Sequence, residues 1–169
     1  MKIYIIRHGE TDSNKEKIIM GCRVDELLNT RGVEQVNKLA DSINEGDFDV
    51  IFTSPLKRAR QTAEIIANKI NAPILERKEI IERDWGSVTG KRRDDAIEIL
   101  INSKPDDVES TDRIKKRLMK FISEIKRDYF DKKVLIVAHG GILKVANLLF
   151  SEEKSDKIAD NATIHEFNI

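Results

Sequence analysis

Two kinds of apolar pattern alternate along this chain. Residues 2–6, Lys-Ile-Tyr-Ile-Ile, are mostly β-branched and aromatic and run into a polar loop at Arg7, which predicts a short buried strand. From Thr30 to Glu45 the apolar positions Val33, Val36, Leu39, Ala40 and Ile43 recur at helical spacing, with Gly46 as the expected stop. Val50-Ile51-Phe52-Thr53 reads as a second buried strand. Ser54 then stands as an N-cap before a proline at the first helical position, and the helix that follows should bury Ala59, Thr62, Ala63, Ile66 and Ile70. Pro73 closes that segment, Ile74-Leu75 reads as a short strand, and residues 80–90 are irregular around Gly86 and Gly90. Helices are expected at 92–102 and 110–130. Val134 to Ala138 is apolar throughout, so this strand should be covered on both faces. It leads into His139-Gly140-Gly141 and an apolar helix to Phe150, and Thr163 to Phe167 can form a last strand. Strands alternating with helices predict an α/β fold, a three-layer α/β/α sandwich on a mostly parallel central sheet. No repeat, linker or low-complexity tract divides it, so one domain over residues 1–169 is expected.

Charge narrows the function classes. Thirty Lys and Arg balance thirty Asp and Glu, and no basic stripe stands out, which argues against nucleic acid as a partner. No apolar run reaches the length of a membrane span, and Lys2 leads into a strand-like stretch rather than a secretory leader. The one cysteine, Cys22, excludes an internal disulfide framework and any multi-cysteine metal site. A cytoplasmic protein without a membrane partner is the expectation.

The candidate chemistry lies where strands end, because ligands of such sheets bind beyond the carboxyl ends of the strands. Arg7-His8-Gly9-Glu10-Thr11, Ser54 leading to Arg58, and His139-Gly140-Gly141 all occupy that position. Arginine supplies a planar donor fork for phosphate oxygens, and glycine lets the backbone approach a ligand closely. Neither Gly-x-x-x-x-Gly-Lys-Ser/Thr nor Gly-x-Gly-x-x-Gly occurs, which counts against a nucleotide-binding loop, and no close His/Asp cluster suggests zinc. His165 and Cys22 carry no partner motif and read as structural or incidental. Lys57 and Arg60 read as solvated surface.

Arg7-His8-Gly9-Glu10-Thr11, with Asn14 just beyond, resembles the Arg-His-Gly motif of the histidine phosphatase superfamily, in its phosphoglycerate mutase-like branch. Ser54-Pro55-Leu56-Lys57-Arg58-Ala59-Arg60-Gln61-Thr62-Ala63 is similar to that branch's Ser-x-Leu-x-Arg-Ala-x-x-Thr-Ala helix start. Glu82-Arg83-Asp84-Trp85-Gly86 resembles its acid-donor loop, Glu109-Ser110 with Arg117 a recurring Glu-Ser…Arg pattern, and Val137 to Gly141 the segment that bears the second histidine. The match runs in order from Ile3 to at least Leu148.

The resemblance implies that His8 is the nucleophile, forming a phosphohistidine. Arg7, Arg58 and His139 would clamp the phosphoryl oxygens, with Asn14 and the Gly140 N–H as further donors. Glu82 would protonate the leaving alkoxide, with Asp84 as the other candidate acid. Met20 and Gly21 would line the substrate side, Ser54 would orient His8, and Glu10 would hold the loop by hydrogen bonding. No metal or organic cofactor is implied. The mutases of the branch carry a tyrosine where Trp85 stands and a lysine near Arg93, and they have a long insertion. Here only about fifteen residues separate Gly90 from Pro105. A short cap admits water, so the expectation is a phosphomonoester phosphatase acting on a small phosphorylated metabolite. The alternatives are a phosphoglycerate mutase primed by 2,3-bisphosphoglycerate, or a non-catalytic phosphate-binding module. Arg7, Arg58 and Arg93 would then make a cationic pocket in a neutral protein.

Overall fold

A computed structural model describes residues 1–151 and 159–169. Five strands, β1 (Lys2–Arg7), β2 (Val50–Thr53), β3 (Ile74–Glu76), β4 (Val134–Ala138) and β5 (Ile164–Asn168), form one sheet in the order β3-β2-β4-β1-β5. All neighbours are parallel except β5, which runs antiparallel to β1 at the edge. The helices are α1 (Asp12–Lys15), α2 (Thr30–Asp41), α3 (Lys57–Ile70), α4 (Arg93–Asn102), α5 (Thr111–Asp128) and α6 (Gly140–Phe150).

Alternation along the strands sends successive side chains to opposite faces, and both faces are filled. Ile3, Ile5, Phe52, Val134 and Ile136 pack with α5 and α6, through Ile114, Leu118, Phe121, Ile142 and Ala146. Ile6, Ile51, Leu135 and Val137 pack with α2 and α3, through Val36, Ala40, Ala63 and Ile66. β4 lies between β2 and β1 and is buried along its whole length, as its unbroken apolar run predicts. Each such aliphatic side chain contributes about 1.5–3 kcal/mol of transfer free energy.

Two helix boundaries differ from expectation. α2 stops at Asp41, four residues before Glu45, because Asn44 and Asp47 form a side-chain-closed turn with Asn44 N donating to Asp47 Oδ2 at 2.8 Å. Ile43 still packs in the core. α3 begins at Lys57, so Ser54 is not its N-cap and Pro55 lies before the helix. Leu56 occupies the cap position without a side-chain bond, and Asp25 from a distant loop accepts the Lys57 N–H at 2.7 Å instead. That leaves the Ser54 hydroxyl available for another partner.

Register brings the chemistry together. Arg7 pairs with Ala138 and Thr53 with Val137, so β1, β2 and β4 end at one level. The ladder continues one residue further, with His8 N donating to Ala138 O and Ser54 N to Val137 O, both at 3.1 Å. His8, Ser54 and His139 are therefore neighbours at the carboxyl edge of the sheet.

Candidate active site

His8 is buried, and its Nδ1 lies 2.7 Å from the carbonyl of Gly9. A carbonyl can only accept, so Nδ1 carries the ring proton and Nε2 carries the lone pair. The donor on the other side agrees, since Arg58 Nε–H points at His8 Nε2 over 3.2 Å. Burial, then the charges of Arg58 and Arg7, hold this imidazole well below its usual pKa, so it stays neutral and nucleophilic. The loop is fixed around it. Gly9 N donates to Thr62 Oγ1 at 3.1 Å, and that hydroxyl donates to Arg58 O at 2.8 Å, tying α3 to the histidine loop.

Arg58 lies in the first turn of α3 and is 1% exposed. A guanidinium at that depth needs acceptors, and besides His8 it has the carbonyls of Gly21 and Val24, each at 2.8 Å. Gly21 has φ +58°, and a Cβ there would lie 2.6 Å from Arg83 O, so the turn that presents this carbonyl requires glycine. Met20 is buried and accepts the Thr11 hydroxyl on its sulfur at 3.6 Å. Arg7 donates through Nη1 to Ala159 O at 2.6 Å, while its buried Nε has no partner among the described residues. Desolvation is the main influence on both guanidiniums, and the Glu82 charge opposes it in both.

His139 is fully buried, with its ring centroid 5.1 Å from that of His8 at an interplanar angle of 62°. Burial and the surrounding cations also hold its pKa well below the usual value. Its Nε2 lies 2.7 Å from Ser54 Oγ, and its Nδ1 is buried with no partner among the described residues. This corrects the expected role of Ser54: it contacts His139 on the neighbouring strand, whereas His8 Nδ1 is satisfied by its own loop.

Glu82 Oε1 accepts Arg83 N at 2.7 Å, and Oε2 accepts Gly141 N, in the first turn of α6, at 3.1 Å. Glycine at 141 is a matter of space, because a Cβ would overlap Glu82 Oε1. Asp84 is placed differently. Arg23 engages both its oxygens, at 2.7 and 3.1 Å, and Gly86 N adds a third donor. Chiefly through that arginine, its carboxyl is held below the usual range, which is the wrong state for a proton donor. The acid loop is clamped from α5. Arg117 grips Glu109 through two bonds of 2.9 and 3.0 Å and donates to Glu79 O at 2.6 Å, while Glu109 N donates to Asp84 O at 2.8 Å.

Asn14 closes a capping box on α1. Its Oδ1 accepts Thr11 N at 3.3 Å and Asn161 Nδ2 at 3.2 Å, so Nδ2–H2 is the end of the amide it can offer a ligand. Gly140 begins α6 directly after His139. Glu10 accepts Asn29 Nδ2 at 3.1 Å and so braces the start of α2, as a loop-holding residue should. Arg93, on the exposed first turn of α4, is near enough for its charge to act on Arg7. Arg83 stacks over Trp85, 4.9 Å from the ring centroid.

Sequence reasoning missed one group entirely. Asn161 donates to His8 O at 2.9 Å as well as to Asn14, and Ala162 N donates to Arg7 O at 2.9 Å. The segment before β5 therefore braces the loop of the first histidine, although no motif there points to it. Among the described residues no group of three or more His, Cys, Asp and Glu side chains comes together to hold a metal. None of the described helices is long and apolar enough to cross a membrane. A cleft of about 610 Å³ lined by Tyr4, Phe48 and Phe130 brings together none of the groups above.

Residues 3–168 match the model of the histidine phosphatase superfamily (branch 1). A probable phosphatase of Schizosaccharomyces pombe is 37% identical over 99% of this chain and 83% of its own length. The protein named uncharacterized phosphatase PhoE of Bacillus subtilis is 35% identical over 83% of this chain and 72% of its own. Among solved structures, a phosphoserine phosphatase of Entamoeba histolytica in complex with 3-phosphoglyceric acid superposes with a TM-score of 0.84. It is 26% identical and is matched over 99% of this chain and 90% of its own.

Proposed function

This chain belongs to the histidine phosphatase superfamily, branch 1, and with its likeness to the phosphatases of that family it is a phosphatase; we propose that it hydrolyses small phosphomonoesters through a phosphohistidine on His8. The observation that carries the reading is the tautomer of His8. The proton on Nδ1 is tied to Gly9 O, so the Nε2 lone pair faces Arg58. A nucleophile beside a guanidinium matches the needs of phosphoryl transfer, in which catalysis is mostly positioning and charge stabilisation.

In this reading the phosphate dianion enters among Arg7, Arg58 and His139, and draws the Arg58 Nε–H from His8 onto an oxygen. His8 Nε2 attacks phosphorus and the bond to the leaving alcohol breaks. Glu82 delivers its proton to the leaving oxygen. Water then attacks phosphorus, Glu82 takes its proton, the N–P bond breaks and inorganic phosphate leaves. Asn14 Nδ2 and the N–H of Gly140 add donors to the oxygens, and Met20 and Gly21 line the entrance. Every charge-stabilising group is a side chain or a backbone amide, and no step calls for a metal.

For the substrate we infer a metabolite with a second acidic group beside its phosphate. Arg93 is a cation outside the phosphate clamp yet close enough to act on Arg7, and a matched relative is a phosphoserine phosphatase solved with 3-phosphoglyceric acid. We treat residues 1–169 as one such domain and, on the single cysteine, read its compartment as the cytoplasm. The test is a panel of phosphomonoesters that includes phosphoserine, glycerol phosphates and 3-phosphoglycerate primed with 2,3-bisphosphoglycerate. Hydrolysis of acidic esters ahead of neutral ones is expected. Isomerisation outpacing phosphate release would replace the phosphatase with a mutase.

A further inference from the structure

The Ser54–His139 contact has a direction, and the direction determines what His139 can offer a ligand. Ser54 is fully buried, and its hydroxyl has one proton and two lone pairs to place. Leu56 N–H, at 3.4 Å, is a donor and takes a lone pair. For the hydroxyl proton the partner in place is His139 Nε2, at 2.7 Å. With Ser54 as donor, every polar atom of the serine is used and Nε2 is an acceptor. The ring proton is then on Nδ1, which is buried and has no partner among the described residues. In the reverse arrangement Nε2–H would donate to Ser54, the hydroxyl proton would have no acceptor among the described residues, and Nδ1 would meet an incoming anion with a lone pair.

We propose that Ser54 is a positioning residue that fixes His139 as the Nδ1–H tautomer, so that the buried ring presents a hydrogen-bond donor to the phosphoryl oxygens. The proposal rests on the reading of this cluster as a phosphoryl-transfer site. It is compatible with the bond from Leu56 N, which uses a lone pair and leaves the hydroxyl proton for Nε2. It also explains how a neutral imidazole contributes to an anion site. Burial and the adjacent arginines keep the ring from charging, so it can donate from one nitrogen only, and the serine selects which. The two histidines would then share a tautomer and use it oppositely. His8 spends its Nδ1 proton on its own loop and attacks with Nε2, while His139 rests Nε2 on Ser54 and donates from Nδ1.

The direct test is long-range 1H–15N correlation spectroscopy on the full chain labelled with 15N-histidine. Only three histidines occur, His8, His139 and His165, and His139→Gln assigns the ring. The expected spectrum has a protonated Nδ1 and an unprotonated Nε2 on His139, with and without vanadate. A protonated Nε2 overturns the proposal. In a Ser54→Ala chain the ring should lose its single tautomer. Affinity for inorganic phosphate and kcat on p-nitrophenyl phosphate should each fall on the order of 10- to 100-fold, the span of one hydrogen bond to a charged group. Ser54→Thr, which keeps the hydroxyl, should restore the tautomer. A Ser54→Ala chain with the wild-type tautomer and wild-type phosphate affinity also overturns it. The spectrum of the unmodified chain decides the matter even if the threonine methyl does not fit. Failure of the functional reading is separate, because it would be seen as a missing phosphoenzyme on His8 while the His139 tautomer stood as measured.

Discussion

Gly141→Ala separates the chemistry of Glu82 from the stability of the fold. The added Cβ would overlap Glu82 Oε1 and stand 3.2 Å from Cδ. The carboxylate is the end of a flexible side chain, so it moves and the helix stays. Two opposing terms act on stability. Alanine in place of glycine favours a helix by up to about 1 kcal/mol. Loss of the bond from Gly141 N to a charged oxygen costs about 1.5–3 kcal/mol when nothing replaces it. Water can reach this half-buried carboxylate and recover part of that, so the net loss should be about 1 kcal/mol, or roughly 2–4 °C in Tm. Catalysis has no such compensation, since a proton donor displaced by about 1 Å costs on the order of 100-fold. We expect kcat on an alkyl phosphate such as phosphoserine to fall about 100-fold. On p-nitrophenyl phosphate, whose leaving group needs little protonation, the fall should stay under about tenfold. Matched phosphate-release assays beside a thermal melt measure all three. Equal losses on both substrates, or wild-type turnover of the alkyl ester, would refute the placement of the acid.

Other groups make separate predictions. Asn161→Ala removes the donor to His8 O and Asn14 Oδ1, so it should raise KM for phosphomonoesters, and a double-mutant cycle with Asn14→Ala should show coupling of about 0.5–3 kcal/mol; strict additivity would mean Asn161 acts apart from Asn14. Arg117→Ala frees Glu109 and Glu79 O from α5, loosening the acid loop, so alkyl phosphates should lose more turnover than p-nitrophenyl phosphate; a change in Tm with no change in that ratio would limit Arg117 to stability. Stability should fall in mild acid. His8 and His139 titrate lower in the folded chain than in the unfolded one, so below about pH 6.5 the unfolded state binds more protons and stability drops by up to about 1.4 kcal/mol per pH unit for each ring. Urea midpoints at pH 7.5 and 5.5 should differ, and His139→Gln should flatten the slope; equal midpoints in the wild type would contradict the buried neutral pair.

Much of this was legible in the amino-acid sequence because the signals were local. The unbroken run of Val134 to Ala138 marks a strand covered on both faces, and Arg7-His8 and His139 each sit directly after a strand, where backbone direction aims them at one edge. Glu82 could be named from the motif, although what it rests on, the Gly141 amide, depends on how the loop and α6 meet in space. The partner of the Ser54 hydroxyl, His139 and not His8, is hidden from the sequence for a similar reason. A serine before a proline satisfies the pattern of a helix cap, and only the register of β2 against β4 shows His139 2.7 Å away. Asn161 left no trace in any motif. Its effect comes from the antiparallel return of the chain along β1, a pairing between segments more than 150 residues apart.

The central claim is that His8 Nε2 takes the phosphoryl group, and acid-quenched trapping with a 32P-labelled substrate tests it most directly. A phosphoenzyme stable in base and labile in acid, with the label on the peptide that holds His8 and lost in His8→Ala, is the predicted result. Turnover without label in the wild type, or label that survives His8→Ala, would contradict it.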